Sequence, residues 1–173
     1  LVEGENQFSA RAATKDGIES TPAAAAINRI GPATPGVLRV VTVGINLYAD
    51  QTLDLDYGVP DAESISQYFN TQTMPLAKET RQSPLRDRAA TRQAILGTLA
   101  RRSESEPQDV LVVYLAGHGV TIDDQWYFVP TDVPPGLRRA DVARSGISGE
   151  EIANALMQAK AQRVLLLVDA CKS

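Results

Sequence analysis

Val164-Leu165-Leu166-Leu167-Val168-Asp169-Ala170-Cys171-Lys172-Ser173 is the stretch that decides the fold. Five apolar residues run unbroken to an acid, and two positions later stands the only cysteine of the chain. A run of this length, rich in Val and Leu, predicts a strand buried on both faces of a parallel sheet. Such strands deliver residues to the carboxyl edge of the sheet, where α/β proteins place ligands and chemistry. Val110-Leu111-Val112-Val113-Tyr114-Leu115-Ala116-Gly117-His118-Gly119 has the same build and ends at the only histidine. One Cys and one His, each at the exit of a buried strand, can meet as nucleophile and base. Cys171 follows its strand, whereas a cysteine used as a small core hydrophobe would lie inside it. His118 sits between two glycines, which permit a sharp turn and a close approach of backbone to ligand.

The composition bounds what such a site can serve. The 173 residues suffice for one α/β domain with its own core, and 43% hydrophobic with 22% charged residues places the chain among globular proteins. A net charge of −4 offers no basic face to nucleic acid, and no apolar run approaches the roughly 18 residues of a membrane span. A single cysteine excludes an internal disulfide and a thiolate zinc cluster, and no metal site is legible. A lone reactive thiol favours a reducing compartment such as the cytoplasm. The chain begins at Leu1, so the presence of a targeting signal stays open.

Away from the two strands the signals are of ordinary kinds. Residues 1–30 read as the end of a small β module or as a loosely packed tail: Asn6, Phe8, Ala10 and Ala12 alternate loosely with polar residues, and Lys15-Asp16-Gly17 is a turn. Gly31 to Gly36 holds two prolines and two glycines and reads as a linker. Val37 to Ile45 predicts the first strand of the main domain. Asp61 is expected to cap a helix whose stripe is Ile65, Tyr68 and Phe69. Residues 71–88 are expected to hold at most a short strand. Thr91 caps a second helix with Ile95, Leu96 and Leu99 inward; Trp126 to Pro130 is a short strand; residues 132–146 are a loop. Ser148 and Glu151 form a capping box for a helix carrying Ile152, Ala155 and Leu156. The order β, α, (β), α, β, β, α, β predicts a mostly parallel sheet with helices on both faces, a three-layer α/β/α domain. With no G-x-G-x-x-G or Walker loop after the first strand, a nucleotide-binding reading lacks its motif.

Four pieces of residues 37–173 resemble caspase-like cysteine peptidases, closest to the metacaspase and bacterial caspase-homologue branch. They are V-V-T-V-G-I-N-L-Y, then L-D-Y-G-V-P-D-A, then V-V-Y-L-A-G-H-G with W-Y-F-V-P-T-D, and finally L-L-L-V-D-A-C-K-S. The 53 residues from His118 to Cys171 fit the caspase spacing of about 50. The chain departs from the metacaspase pattern at Lys172, where His is typical, and at Ala116, where Ser is typical. The G-E-N-x-F-x-A-x-A and D-G-x-E-S patterns of residues 1–30 resemble the closing strands of an immunoglobulin-like module.

The resemblance implies a cysteine endopeptidase working through a Cys171–His118 dyad and an acyl-enzyme. Backbone N–H groups of Gly119 and Cys171 would form the oxyanion hole, with Asp61 and Asp169 lining the pocket for the substrate residue before the cut. Two carboxylates there favour a cation, so cleavage after Arg, or less well Lys, is expected. The family's sheet has two more strands after the catalytic Cys. The chain therefore reads as a large-subunit portion, completed by a small subunit from the same precursor and activated by processing, although the sequence leaves open whether Ser173 marks a processing site. No cofactor is evident, and Ca²⁺ activation, as in some metacaspases, is not readable. The alternative is a caspase-like scaffold with a silent site.

Overall fold

The computed structural model describes residues 4–29, 34–72, 77–136 and 139–170. The chain divides into two compact units, Leu1–Thr34 and Pro35–Ser173. In the first, β1 (Gly4–Ala10) and β2 (Ala23–Arg29) pair antiparallel, with an isolated bridge between Ala13 and Glu19 nearer the turn. Its side chains are almost all exposed, Phe8 and Ile27 among them.

Among its described residues, the second unit is built on a four-stranded parallel sheet in the order β4-β3-β5-β9. Its strands are β3 (Gly36–Gly44), β4 (Ala77–Arg86), β5 (Val110–Gly117) and β9 (Arg163–Ala170). The helices are α1 (Gly58–Thr71), α2 (Arg92–Ala100), α3 (Arg139–Ser145) and α4 (Gly149–Met157). Strand periodicity sorts the core. Val41, Val43, Leu111, Val113 and Leu115 cluster with Ile95 and Leu99 of α2 and Ile152 of α4. Their neighbours along the strands turn to the other face, where Ala62 of α1 packs with Tyr114 and Ala116. Both central strands are therefore buried on two faces, which accounts for their unbroken apolar runs. A small antiparallel sheet of β6 (Gly119–Ile122), β7 (Gln125–Phe128) and β8 (Ile147–Ser148) stands beyond β5.

The structure corrects several expectations. The segment expected to hold at most a short strand contains ten-residue β4, with Pro84 inside it; the proline is tolerated because β4 is an edge strand. Residues 73–76 of that segment lie outside the described residues, as do residues 31–33 of the expected linker, whose Gly36 already belongs to β3. Residues 132–146 hold α3, which the adjacent Pro134-Pro135-Gly136 hid. Helix α1 starts at Gly58, so Asp61 lies inside its first turn and is not the cap. Asn46 performs that task from the preceding loop, its Oδ1 accepting the Val59 N–H at 2.8 Å. The absent side chains of Gly44 and Gly58 let the helix start press on the end of β3: a Cβ at Gly58 would stand 2.6 Å from the Ile45 carbonyl oxygen. The fully buried positions of the helix are Gly58, Ala62 and Ser66; Ile65 and Phe69 of the expected stripe pack half-buried against the core, while Tyr68 is exposed. The caps at Thr91 and Ser148–Glu151 form as expected.

Asp109 joins the starts of the two central strands. Its carboxylate accepts the Val37 N–H at 2.8 Å, the Arg39 Nε–H at 2.8 Å and the Glu106 N–H at 3.1 Å, and the residue is 2% exposed. Burial pushes this carboxyl up, but Arg39 and the two backbone N–H groups together outweigh it and hold the group below the usual carboxylate range. A depressed carboxyl stabilises the fold above its unfolded value of about 3.9, and the contribution is lost as pH falls through the lower folded value. Asp109→Ala is expected to cost about 3 kcal/mol at neutral pH, read from the urea midpoint, because it strands Arg39 and two backbone donors. The gap to the wild type should narrow as pH falls below about 4; a gap constant from neutral to pH 3 would refute this role.

Candidate active site

Strand register brings the predicted residues to one edge. In the β5–β9 pair, Tyr114 stands opposite Leu167, Ala116 opposite Asp169 and Gly117 opposite Ala170. Asp169 therefore shares a face with Tyr114, Ala116 and the first turn of α1, where Asp61 stands. Asp61 and Asp169 line a single open cleft of about 180 Å³, together with Tyr57, Gly58, Ala116 and Gly117. The Tyr114 hydroxyl donates to Asp169 Oδ2 at 2.9 Å from a buried ring. Burial first, then the Asp169 carboxylate and the nearby Asp61, push the Tyr114 phenol far above the ordinary tyrosine range. It stays a protonated donor, and it ties one oxygen of Asp169 to the core.

His118 lies one residue beyond β5, where the chain bends into β6. Its backbone N–H donates to the Tyr48 hydroxyl at 2.9 Å, and the two rings stand 5.2 Å apart. Gly117 makes room for this contact, since a Cβ there would meet the Tyr48 hydroxyl at 2.8 Å. Burial raises the Tyr48 phenol to about 12, so it is neutral at physiological pH. On the ring, Nε2 lies 2.8 Å from the Leu53 carbonyl oxygen. A carbonyl only accepts, so Nε2 carries the proton and Nδ1 is left as the basic nitrogen.

The Leu53 carbonyl is placed by a loop, residues 45–57, that short polar side chains pin down. Asp87 Oδ1 accepts the N–H groups of Asn46 and Leu47 at 2.8 and 2.9 Å. Asp54 accepts the Tyr48 N–H, and Thr131 donates its hydroxyl to the Leu47 carbonyl. Asp50 accepts from Thr52 and from the Gly136 N–H; these bonds, the Thr52 hydroxyl foremost, hold its carboxyl below the usual range.

Of the residues singled out in the sequence, Asp61 and Asp169 share one cleft, while His118 and Gly119 line a neighbouring pocket. Gly119 opens β6 in register with Phe128. Cys171 lies outside the described residues; it is the residue after Ala170, as His118 is the residue after Gly117. Sequence reasoning missed Tyr114, which reads as one more core aromatic in an apolar run. It also missed Tyr48, although the N-L-Y motif contains it, and the Leu53 carbonyl, which no side-chain pattern can reveal.

A family model described as the caspase domain matches residues 38–173, most of the chain. None of the curated proteins compared with the chain matches it. Among solved structures, protein GSU0716 from Geobacter sulfurreducens has a similar fold, with a TM-score of 0.60 at 17% identity over 79% of this chain. The chain spans about half of that protein's length, 51% of it. A parallel sheet that brings the ends of β5 and β9 together beside an acidic cleft agrees with the family match, and the chain belongs to the caspase-domain family of peptidases.

Proposed function

We propose that the chain supplies the dyad of a cysteine endopeptidase that cleaves after a basic residue, Arg before Lys. The observation that carries this is the β5–β9 register, which puts the residues preceding His118 and Cys171 opposite each other beside the cleft of Asp61 and Asp169. His118 Nδ1 takes the Cys171 proton, because Nε2–H is held by the Leu53 carbonyl. The thiolate attacks the scissile carbonyl, and the Gly119 and Cys171 backbone N–H groups stabilise the oxyanion. Collapse of the tetrahedral species expels the amine, which takes the proton from Nδ1–H. Water, deprotonated by His118, then attacks the acyl-enzyme and regenerates the thiol. The Nε2–H bond to Leu53 fixes the ring between the two transfers.

In the cleft, Asp61 and Asp169 offer oxygen acceptors to a guanidinium, whose planar fork suits two carboxylates better than an ammonium does. Cys171→Ala and His118→Ala should each abolish cleavage, the double variant being little worse than either. Asp169→Asn should cost on the order of 2–5 kcal/mol in kcat/KM for an Arg peptide, roughly 30-fold or more, with alkylation of the thiol by a small neutral reagent nearly unchanged. The decisive measurement compares two fluorogenic peptides that differ only in Arg or Asp before the scissile bond. Faster turnover of the Asp peptide refutes the specificity, and no turnover of either favours a silent scaffold.

Tyr114 serves this pocket by orienting Asp169. Tyr114→Phe keeps the ring and removes one hydrogen bond to a charged group, so KM for the Arg peptide should rise about tenfold while kcat stays within about twofold. An equal fall in kcat with KM unmoved would assign the tyrosine to general packing.

A small subunit from the same precursor, released by processing, is proposed to continue the sheet along β9. Val164, Leu165, Leu166 and Val168 of this strand are 38–45% exposed. Among the described residues of this unit, β9 pairs with β5 alone in the sheet. An exposed apolar edge strand associates readily. Residues 1–173 alone should therefore self-associate at micromolar concentration in sedimentation, and co-expression with the remainder of the precursor should yield a defined complex. A monodisperse, stably folded monomer of residues 1–173 would argue against the partner.

A further inference from the structure

Resting on the dyad reading above, we infer that the pocket lined by His118 and Val120 is the subsite for the substrate residue after the scissile bond, and that it selects a large apolar side chain. The pocket measures about 360 Å³, within the range of small-ligand sites. Val129 and Val133 form its buried floor, and Leu53, Val120 and Val142 add half-buried apolar walls. The one carboxylate on its rim, Asp50, already has both oxygens engaged, Oδ1 by Thr52 and Oδ2 by the Gly136 N–H at 3.0 Å. Among the described residues, the chemistry presented to a ligand is therefore mainly aliphatic, opposite in kind to the cleft of Asp61 and Asp169.

Placement assigns the occupant. Gly117 lines the acidic cleft and His118 lines the apolar pocket, so the two sites are neighbours one residue apart along the chain. A substrate with its basic side chain in the acidic cleft has its scissile amide over the dyad. The leaving nitrogen must come within reach of His118 to be protonated. The residue carrying that nitrogen is thus delivered to the His118 side, and in an extended peptide its side chain points away from that of the residue before it. Opposed side chains on either side of the cut match two pockets on either side of the Gly117–His118 step. The Gly136–Asp50 hydrogen bond links the loop bearing Leu53 to another part of the pocket's lining, and Leu53, whose carbonyl meets the His118 ring, lines the pocket too.

The test uses the processed full-length enzyme and peptides with Arg before the cut and Gly, Leu, Phe, Asp or Lys after it, the cut sites and rates being read by mass spectrometry. Leu and Phe peptides should exceed Gly and Asp peptides about 10- to 100-fold in kcat/KM, the worth of burying one large apolar side chain. Val142→Asp should bring the Leu-to-Gly ratio to within about threefold and raise the Lys peptide relative to Leu. The ratio is taken within one enzyme, so a partly folded variant does not disturb it. Cleavage after Arg at rates indifferent to the following residue overturns the subsite and leaves the dyad reading standing. A Leu-to-Gly ratio that Val142→Asp does not move also overturns it. No cleavage after Arg in any peptide overturns both readings.

Discussion

The register of β5 against β9 is the constraint on which the site depends. Side chains alternate along a strand, so a slip of one residue would carry Asp169 from the α1 face to the opposite one and separate it from Asp61. Within the pair, Ala116 faces Asp169 across the strands, and Tyr114 reaches up from two residues below to bond its carboxylate. This bond does two tasks at once. It rewards the correct register with a partly buried, charge-assisted hydrogen bond, and the carboxylate it holds lines the cleft. Ala116 contributes by being small, since a longer side chain at that point would fill the cleft floor.

Register alone does not orient a histidine. The ring of His118 is set by backbone, from a loop with little regular structure of its own. That loop keeps its shape because its Asp and Asn side chains stand in for the missing secondary-structure hydrogen bonds. Asn46 is the clearest case: it caps α1 through Oδ1 and donates through Nδ2 to the Asp56 carbonyl at 3.0 Å. The same residue thus fixes both the helix that carries Asp61 and the loop that carries Leu53. The acidic cleft and His118 share a support, which explains why a polar, Asp-rich stretch lies between two well-packed elements.

The two edges of the sheet are treated differently. Strand β4 bears Lys78, Glu79, Arg81 and Arg86 and is interrupted by Pro84, devices that discourage further pairing. Strand β9 carries an unbroken aliphatic run from Val164 to Val168. Val164, Leu165, Leu166 and Val168 keep over a third of their surface exposed in this unit, whereas their counterparts Leu111, Val112, Val113 and Leu115 on β5 are buried. A sequence that reads as a doubly buried strand thus stands at an edge. Its composition suits a central position, which β9 would gain if further strands were added beside it.

The sequence by itself determined the parallel sheet, the doubly buried strand β5, the caps at Thr91 and Ser148, and the placing of His118 and Asp169 at strand exits. These are local signals: periodicity, capping chemistry and the point where an apolar run stops. It did not determine the start of α1, because the cap comes from Asn46 twelve residues before the helix and no adjacent residue announces it. Strand β4 was obscured because an edge strand needs few apolar residues, and α3 because prolines precede it. Tyr114, Tyr48 and the Leu53 carbonyl became functional candidates only in three dimensions. A tyrosine in an apolar run looks like core until its hydroxyl is seen to meet a carboxylate from another strand, and a backbone carbonyl has no signature in the sequence. Tertiary structure alone decided which donors and acceptors meet, because those pairs join residues 55 to 70 positions apart.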